Sequence, residues 1–251
     1  MKYKFDTLLK EKNLSYEERW APTTVEQFLA LIKKGILKDM DESLCKNIIY
    51  NLQYLEYIDY QLSELKLHSV ITKMLFKSFI VTSVSIVEAI FYYILKSNNQ
   101  HKTTTEKLLF SLKSNKKKYG NEEIVSETNI YKIIEPEEEE MTFDSMIKKM
   151  EKRKYLDLKH AYFPYLKYFK DLRNRVHIHI TEGDKFGTDF WKFEESDYLF
   201  VKYMLLHLLT DDNIIKLETD PVYNEKIIPK EYEFLVLSKK EKKKVLDSLK
   251  K

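Results

Sequence analysis

Apolar residues recur at steps of three and four along much of this 251-residue chain, which is the spacing of one face of an α-helix. The longest such series follows Asp41 and ends near Leu65. Its apolar members are Leu44, Ile48, Leu52, Leu55, Ile58, Leu62 and Leu65. The pattern predicts a long amphipathic helix from about residue 41, with one stripe facing a core.

The next stretch, from about Ser69 to Lys96, is apolar nearly all round and includes VSIVEAIFYYIL. A helix of this kind belongs at the centre of a bundle or across a membrane. Lys77 and Glu88 lie within it, and ionisable side chains are costly at bilayer depth. We therefore expect a central bundle helix and no membrane span. A buried Glu88 would need a cationic or hydrogen-bonding partner.

Caps and apolar periodicity predict further helices on both sides of these two. The expected segments are a helix from Thr23, with Glu26 in capping-box spacing, to Gly35; Thr105 to Leu112; Phe143 to Lys152; about Pro164 to Gly183; an apolar helix from Ser196; and a basic helix opened by Ser238 and Glu241.

Two charge runs of opposite sign, KSNKKK at 113–118 and EPEEEE at 135–140, have little apolar content. They indicate a solvated insertion over residues 113–141. Lys116, Lys117 and Lys118 are weak candidates for contacts with RNA phosphates, although most such lysine runs only solvate a loop.

Together these patterns predict an all-α protein, an up-and-down helical bundle. Its expected parts are N-terminal accessory helices over 1–40, the bundle over 41–212 and a basic C-terminal extension over 213–251. Only 4 glycines and 5 prolines are present, which leaves few turn formers for a many-stranded fold.

Charge and cysteine content indicate the cellular compartment of the protein more than its function. The net charge of +3, from 43 basic and 40 acidic residues, does not by itself indicate a nucleic-acid binder. Cys45 is the single cysteine, so an internal disulfide and a cysteine zinc cluster are excluded. The N-terminal MKYKFDTLLKEK lacks the apolar stretch of a secretory signal. We expect a cytoplasmic protein.

The segment with readable chemistry is LRNRVHIHI, residues 172–180. It gathers Arg173, Asn174, Arg175, His177 and His179 in a chain with four arginines and six histidines. Imidazole transfers protons near neutral pH, and guanidinium binds two phosphate oxygens at once. On one helix, Arg173 and His179 would lie about 9 Å apart along the axis and on different sides, so a single helix does not join them.

Arg173, followed by the polar Asn174, and His179 after five intervening residues resemble the active motif of the HEPN superfamily of small helical bundles. The resemblance extends over roughly residues 41–210, because an apolar helix, an insertion, the motif helix and a closing helix follow one another in that order. It implies an endoribonuclease that needs no metal or cofactor and leaves 2′,3′-cyclic phosphate ends.

The resemblance also implies roles. His179 would do acid/base work, Arg173 would bind the phosphate and its transition state, and Asn174 would orient one of them. His177 would share or replace the role of His179, with Arg175 and Glu88 as support, Glu88 by pairing with Arg173. HEPN ribonucleases usually act as dimers, with toxin-like or antiviral roles that a cognate antitoxin or regulatory partner controls.

Other interpretations stay open. Arg153 and His160 also match the spacing, but Lys154 follows that arginine. VHIHI on a strand would point His177 and His179 to one face as metal ligands, whereas a helix separates them. The chain would otherwise be an inactive HEPN-like dimerisation or RNA-binding module, or a structural helical interaction protein.

Overall fold

The structure is a computed structural model that describes residues 20–176, 188–221 and 225–248. Within these ranges the chain forms helices α1 Val25–Ile32, α2 Glu42–Glu64, α3 Ser69–Ser97, α4 Phe143–Arg153, α5 Tyr162–Arg173, α6 Asp189–Lys192, α7 Glu195–Leu209 and α8 Lys239–Ser248, and strands β1 Lys102–Lys113, β2 Lys117–Tyr119, β3 Glu122–Ile124 and β4 Glu127–Glu139. Short 3₁₀ segments lie at Gly35–Leu37, Asn174–Val176 and Lys230–Leu235.

Helix α3 is the centre of the fold, which confirms the prediction from its apolar sequence. It packs against α2, α4, α5, α6 and α7. Phe79, Ile90 and Phe91 on this helix are fully buried. Among the described residues α3 is the one helix long and apolar enough to cross a membrane, and 56% of its most apolar window is buried inside the fold. Burial against five helices accounts for its composition.

The described parts of both chain ends join the same core as the bundle. Phe28 and Leu37 near the N-terminal end and Tyr232 and Leu235 near the C-terminal end are at most 1% exposed. Gly35 permits a close approach of the two ends: its φ is +49°, and a Cβ there would lie 2.1 Å from the Asn213 carbonyl oxygen. The N-terminal segment therefore packs directly onto the connection that follows α7.

The predicted capping box at the first helix is displaced by one residue. Thr24, not Thr23, caps α1, and it exchanges hydrogen bonds with Gln27. The Thr23 backbone N–H and hydroxyl instead donate to the Glu56 carboxylate on α2, at 2.9 and 3.1 Å. At the other end, Ser238 and Glu241 form the predicted capping pair of α8.

The all-α prediction is wrong, because 15% of the described residues lie in strands. Strands β1 and β4 pair antiparallel from Lys102 opposite Glu139 to Lys113 opposite Glu127, and β2 and β3 continue the hairpin to its tip. We call residues 102–139 the ribbon. It replaces the helix predicted at Thr105 to Leu112, and it forms most of the solvated insertion predicted over 113–141.

The ribbon has clear physical causes. The three threonines at 103–105 are β-branched and favour extended backbone over helix. Gly120 with φ +62° and Asn121 connect β2 to β3, and such a glycine-containing pair between two short strands is a hairpin signal. The charge runs then become strand ends that form cross-strand ion pairs, such as Lys116 with Glu123 at 2.9 Å.

Helix α5 is shorter than predicted. It begins at Tyr162 and ends at Arg173, after which Asn174–Val176 forms a 3₁₀ turn. The predicted continuation through VHIHI to a cap at Gly183 lies outside the described residues. The motif therefore begins on the last residue of a helix, and the single-helix geometry considered above for Arg173 and His179 does not follow from α5.

His207 near the end of α7 lies in an aromatic cluster beside a cavity of about 390 Å³. Its ring centroid is 4.4 Å from that of Tyr203 and 6.0 Å from that of Tyr162. Burial, reinforced by the charges of Lys159, Lys242 and Lys226, lowers the pKa of His207 to about 4. The folded protein thus holds this imidazole neutral.

The His207→Phe variant tests this environment, because phenylalanine keeps the ring packing and removes the titration. An unfolded histidine titrates near about 6.5, so acid below that pH protonates the unfolded chain first and lowers stability as pH falls toward 4. We expect wild type to lose about 1–2 kcal/mol more than His207→Phe between pH 7 and 4.5, measured by urea unfolding. Equal pH slopes for His207→Phe and wild type would refute this account.

Candidate functional site

Arg173, the arginine of the motif, lies at the C-terminal end of α5 against the central helix. Its guanidinium contacts the Glu88 carboxylate of α3 through Nη1. Both side chains are half-buried, at 25% and 28% exposure. The pairing proposed from the sequence is therefore present in the structure, and its catalytic importance stays a prediction.

Phe143, the first residue of α4, completes the environment of Arg173. The guanidinium carbon lies 5.6 Å from the centroid of its ring. A planar cation over an aromatic face gains electrostatic and packing energy without using its hydrogen-bond donors. Since the contact with Glu88 involves Nη1, the remaining N–H groups of Arg173 are the ones able to bind an anion.

Lys77, a cation on α3, holds the backbone just after the end of α5. The Lys77 ammonium donates to the Arg175 carbonyl oxygen at 3.0 Å and pairs with the Asp189 carboxylate of α6. One turn earlier, Lys73 pairs with Glu194 at 2.7 Å. Lys77 thus holds the backbone at Arg175, before the segment that the structure does not describe. After that segment, Lys77 and Lys73 pair with the side chains of Asp189 and Glu194.

Of the other motif residues, Asn174 and Arg175 are described by the structure. Asn174 is exposed and opens the 3₁₀ turn, and Arg175 is half-buried. His177 and His179 lie outside the described residues. The proposed acid/base roles of the two histidines, and the proposed orienting role of Asn174, accordingly stay predictions.

The remaining candidates are not brought to Arg173. Lys116, Lys117 and Lys118 lie at the tip of the ribbon, roughly 45 Å along the strand from its base. In the alternative motif match, Arg153 is exposed at the end of α4, and His160 pairs with Glu151 at 3.0 Å. The structure therefore favours neither set as part of a site around Arg173.

Within the described ranges no group of three or more histidine, cysteine, aspartate or glutamate side chains is arranged to hold a metal ion. The alternative in which His177 and His179 bind a metal falls on residues outside those ranges. What the described geometry offers is one partly neutralised guanidinium, held by a carboxylate and an aromatic ring, at the start of a histidine-containing segment.

Sequence reasoning did not identify Phe143 or Lys77 as parts of this region. Phe143 was predicted only as a helix start, and the sequence contains no signal that its ring would meet Arg173. Lys77 had a signal, since a lysine in a largely apolar helix needs a partner when that helix is central. Its partners, a carbonyl oxygen and Asp189, come from segments about a hundred residues away.

Comparisons with protein-family models, with curated proteins and with solved structures find no match to this chain. The resemblance to the HEPN superfamily therefore depends on the motif and on the order of elements in this chain alone.

A double-mutant cycle measures how strongly Glu88 and Arg173 interact. We expect Glu88→Gln and Arg173→Gln to show a coupling free energy of about 1 kcal/mol in urea unfolding, because the pair is half-buried but still partly screened by solvent. The matched control is the exposed pair Glu42 and Lys46, separated by four residues on α2, for which we expect a smaller coupling because solvent screens both charges. A Glu88–Arg173 coupling no larger than that of the control would mean that the contact does not fix Arg173.

Proposed function

We propose that the chain is a metal-independent endoribonuclease of HEPN type, with Arg173, Asn174 and His179 as its working residues. The observation that supports this proposal most is the position of Arg173. Its guanidinium is held by Glu88 and Phe143 at the end of α5, with the histidines of the motif following within six residues. A preorganised cation next to a proton-transfer group is what RNA self-cleavage requires.

The reaction we propose needs no atom from outside the RNA. The 2′-hydroxyl attacks the adjacent phosphorus, and a base accepts its proton. The 5′-oxygen leaves with a proton from an acid, and the product is a 2′,3′-cyclic phosphate. His179 supplies an imidazole for one or both transfers, with His177 as the alternative. Arg173 stabilises the extra negative charge of the phosphorane through N–H groups other than the one that contacts Glu88.

Glu88 is a positioning residue in this proposal. It limits the rotamers of Arg173 and reduces the cost of holding a half-buried guanidinium when RNA is absent. Binding a phosphate then places a second anion on the same guanidinium, whose five N–H donors exceed what the contact with Glu88 uses. Loss of Glu88 should therefore weaken catalysis less than loss of Arg173.

The partners follow from the same resemblance. The substrate is RNA, and two copies of the chain are expected to place their motif segments across one cleft. A cognate antitoxin or regulatory partner would restrain a toxin-like or antiviral enzyme in the cytoplasm. The mostly buried α3 is compatible with a soluble protein and supports a location away from membranes.

One observation favours a second candidate function, an inactive HEPN-like module that binds RNA or a partner. Arg173 already has a carboxylate partner in the structure, so its charge is partly neutralised before any phosphate arrives. A purely structural ion pair would have the same geometry. Activity measurements therefore decide between the two.

Labelled RNA incubated with purified protein and excess chelator tests the enzyme. We expect cleavage that leaves 2′,3′-cyclic phosphate ends, and a fall in rate of at least about 100-fold in Arg173→Ala and in His179→Ala. Arg153→Ala removes the arginine of the alternative motif match and should cleave at the wild-type rate. The cleavage rate of His177→Ala shows whether His177 or His179 transfers the protons.

Two results would overturn the enzyme. Intact RNA across single-stranded and structured substrates, with binding retained, would favour the inactive module. Cleavage that stops with chelator and returns with a divalent cation would replace the proposed mechanism with a metal-dependent one.

A further inference from the structure

The ribbon exposes an unusual amount of apolar surface. It carries ten of the eighteen large hydrophobic side chains that are exposed among the described residues: Leu108, Leu109, Phe110, Leu112, Tyr119, Ile124, Val125, Ile130, Tyr131 and Ile133. A two-stranded ribbon without a covering layer is only marginally stable in water. Concentrated apolar exposure of this kind marks an interaction surface.

The register assigns these side chains to faces. Phe110 lies opposite Ile130 and Leu112 lies opposite Thr128, so these residues share one face of the tip half. The register shifts between Leu108 and Phe110. Because of the bulge at that point, the pairs Leu108–Tyr131 and Glu106–Ile133 lie in the base half of the ribbon, on the face opposite to that of Phe110 and Ile130. We call the Phe110, Leu112 and Ile130 face the tip face.

The charges of the ribbon argue against a polyanion as its partner. Residues 102–139 contain seven lysines and eight glutamates, and several of these pair with each other, as Lys113 does with Glu127 and Lys116 with Glu123. An RNA-binding ribbon would need a net positive charge along its length. A surface of balanced charge with apolar patches fits another protein surface of the same kind.

The charges without an ion-pair partner in the described structure are distributed unevenly between the two ends. At the tip these are Lys117 and Lys118, together with the single acid Glu122. In the base half they are Glu106, Glu135 and Glu137 together with Lys107 and Lys132, which leaves a net unpaired charge of −1 there against +1 at the tip. Opposite ends of the ribbon therefore carry opposite unpaired charge, which favours antiparallel contact between two copies.

We propose that the ribbon is a self-association surface, on which two copies of this chain stack their tip faces antiparallel about a two-fold axis. The axis passes at the level of Ser111 and Asn129, which lie opposite each other. Lys117 follows Ser111 by six residues, and Glu135 follows Asn129 by six residues. The two-fold thus places the tip lysines of each copy at the level of the base glutamates of the other.

The same axis buries the apolar residues of the tip face. Phe110 of one copy lies near Leu112 of the other, and both copies contribute Ile130. Overlapping ribbons of about 40 Å length and about 10 Å width give a contact of several hundred Å² per copy, which suits a weak to standard interface. The contact then covers the apolar residues of the tip face.

This dimer does not depend on the proposed ribonuclease. With the axis ten residues from the base of β4, the two ribbon bases lie roughly 65 Å apart, so the two Arg173 side chains cannot share a cleft through this contact. The ribbon contact is therefore additional to any contact between motif segments. The test of this contact measures the association state of the protein and does not use ribonuclease activity.

Sedimentation velocity of the full chain over about 1–200 µM measures the association. We expect reversible self-association in wild type, weakened at least about tenfold in Phe110→Ser and in Ile130→Ser. The matched control inside the ribbon is Ile133→Ser, which removes a more exposed isoleucine from the opposite face and should associate like wild type. Circular dichroism and urea unfolding check that each variant is folded.

A charge exchange tests the antiparallel arrangement. The double variant Lys117→Glu and Lys118→Glu makes both ends of the ribbon acidic, and Glu135→Lys with Glu137→Lys makes the base of the ribbon basic like its tip. Each double variant alone should self-associate at least about tenfold more weakly than wild type, and an equimolar mixture should restore association as a heterodimer.

Several results would overturn the proposal. These are a folded wild type that stays monomeric over the whole concentration range, tip-face variants that associate like wild type, or a mixture of charge variants that does not recover. So would a wild type that stays monomeric while RNA binding is lost in the Phe110→Ser variant, because the ribbon would then be a nucleic-acid surface.

Discussion

The burial of α3 is the constraint on which the rest of the structure depends. Five helices pack on it and bury eleven of its 29 residues. A helix so enclosed leaves few places for a charge, so each ionisable side chain on it must reach a partner at its edge. Glu88 reaches Arg173, and Lys77 reaches Asp189 and a backbone carbonyl. The central helix thereby holds the backbone at the end of α5 and the first residue of α6.

The energetics of the Glu88–Arg173 pair bear on both candidate functions. Solvent still reaches about a quarter of each side chain, so attraction between them is partly screened and contributes little net stability. Removing one partner costs more than the pair contributes, because the other charge would stay half-buried alone. Such a pair is stable enough to hold a guanidinium in one orientation, yet weak enough for a phosphate to compete for it. A binding or catalytic arginine benefits from both properties.

The sequence predicted the elements whose cause is local. The limits of α2, α3 and α4 follow from caps and apolar spacing within each segment, and all three were predicted closely. The ribbon was missed although Gly120 and Asn121 are a local hairpin signal, because the hydrogen bonds of β1 come from β4, which begins fourteen residues after β1 ends. The Glu88 contact could be proposed, since a carboxylate in an apolar helix needs a cation. The Phe143 contact could not, because no spacing within the chain indicates which aromatic ring lies beside Arg173.

The same edge of α3 connects the ribbon to the arginine. Tyr92 and Lys96 follow Glu88 at intervals of four residues, and both bond to Glu138 at the base of β4. The chain then runs from Glu138 to Phe143, whose ring lies against Arg173. One row of α3 side chains therefore sets both the direction of the ribbon and the environment of the guanidinium.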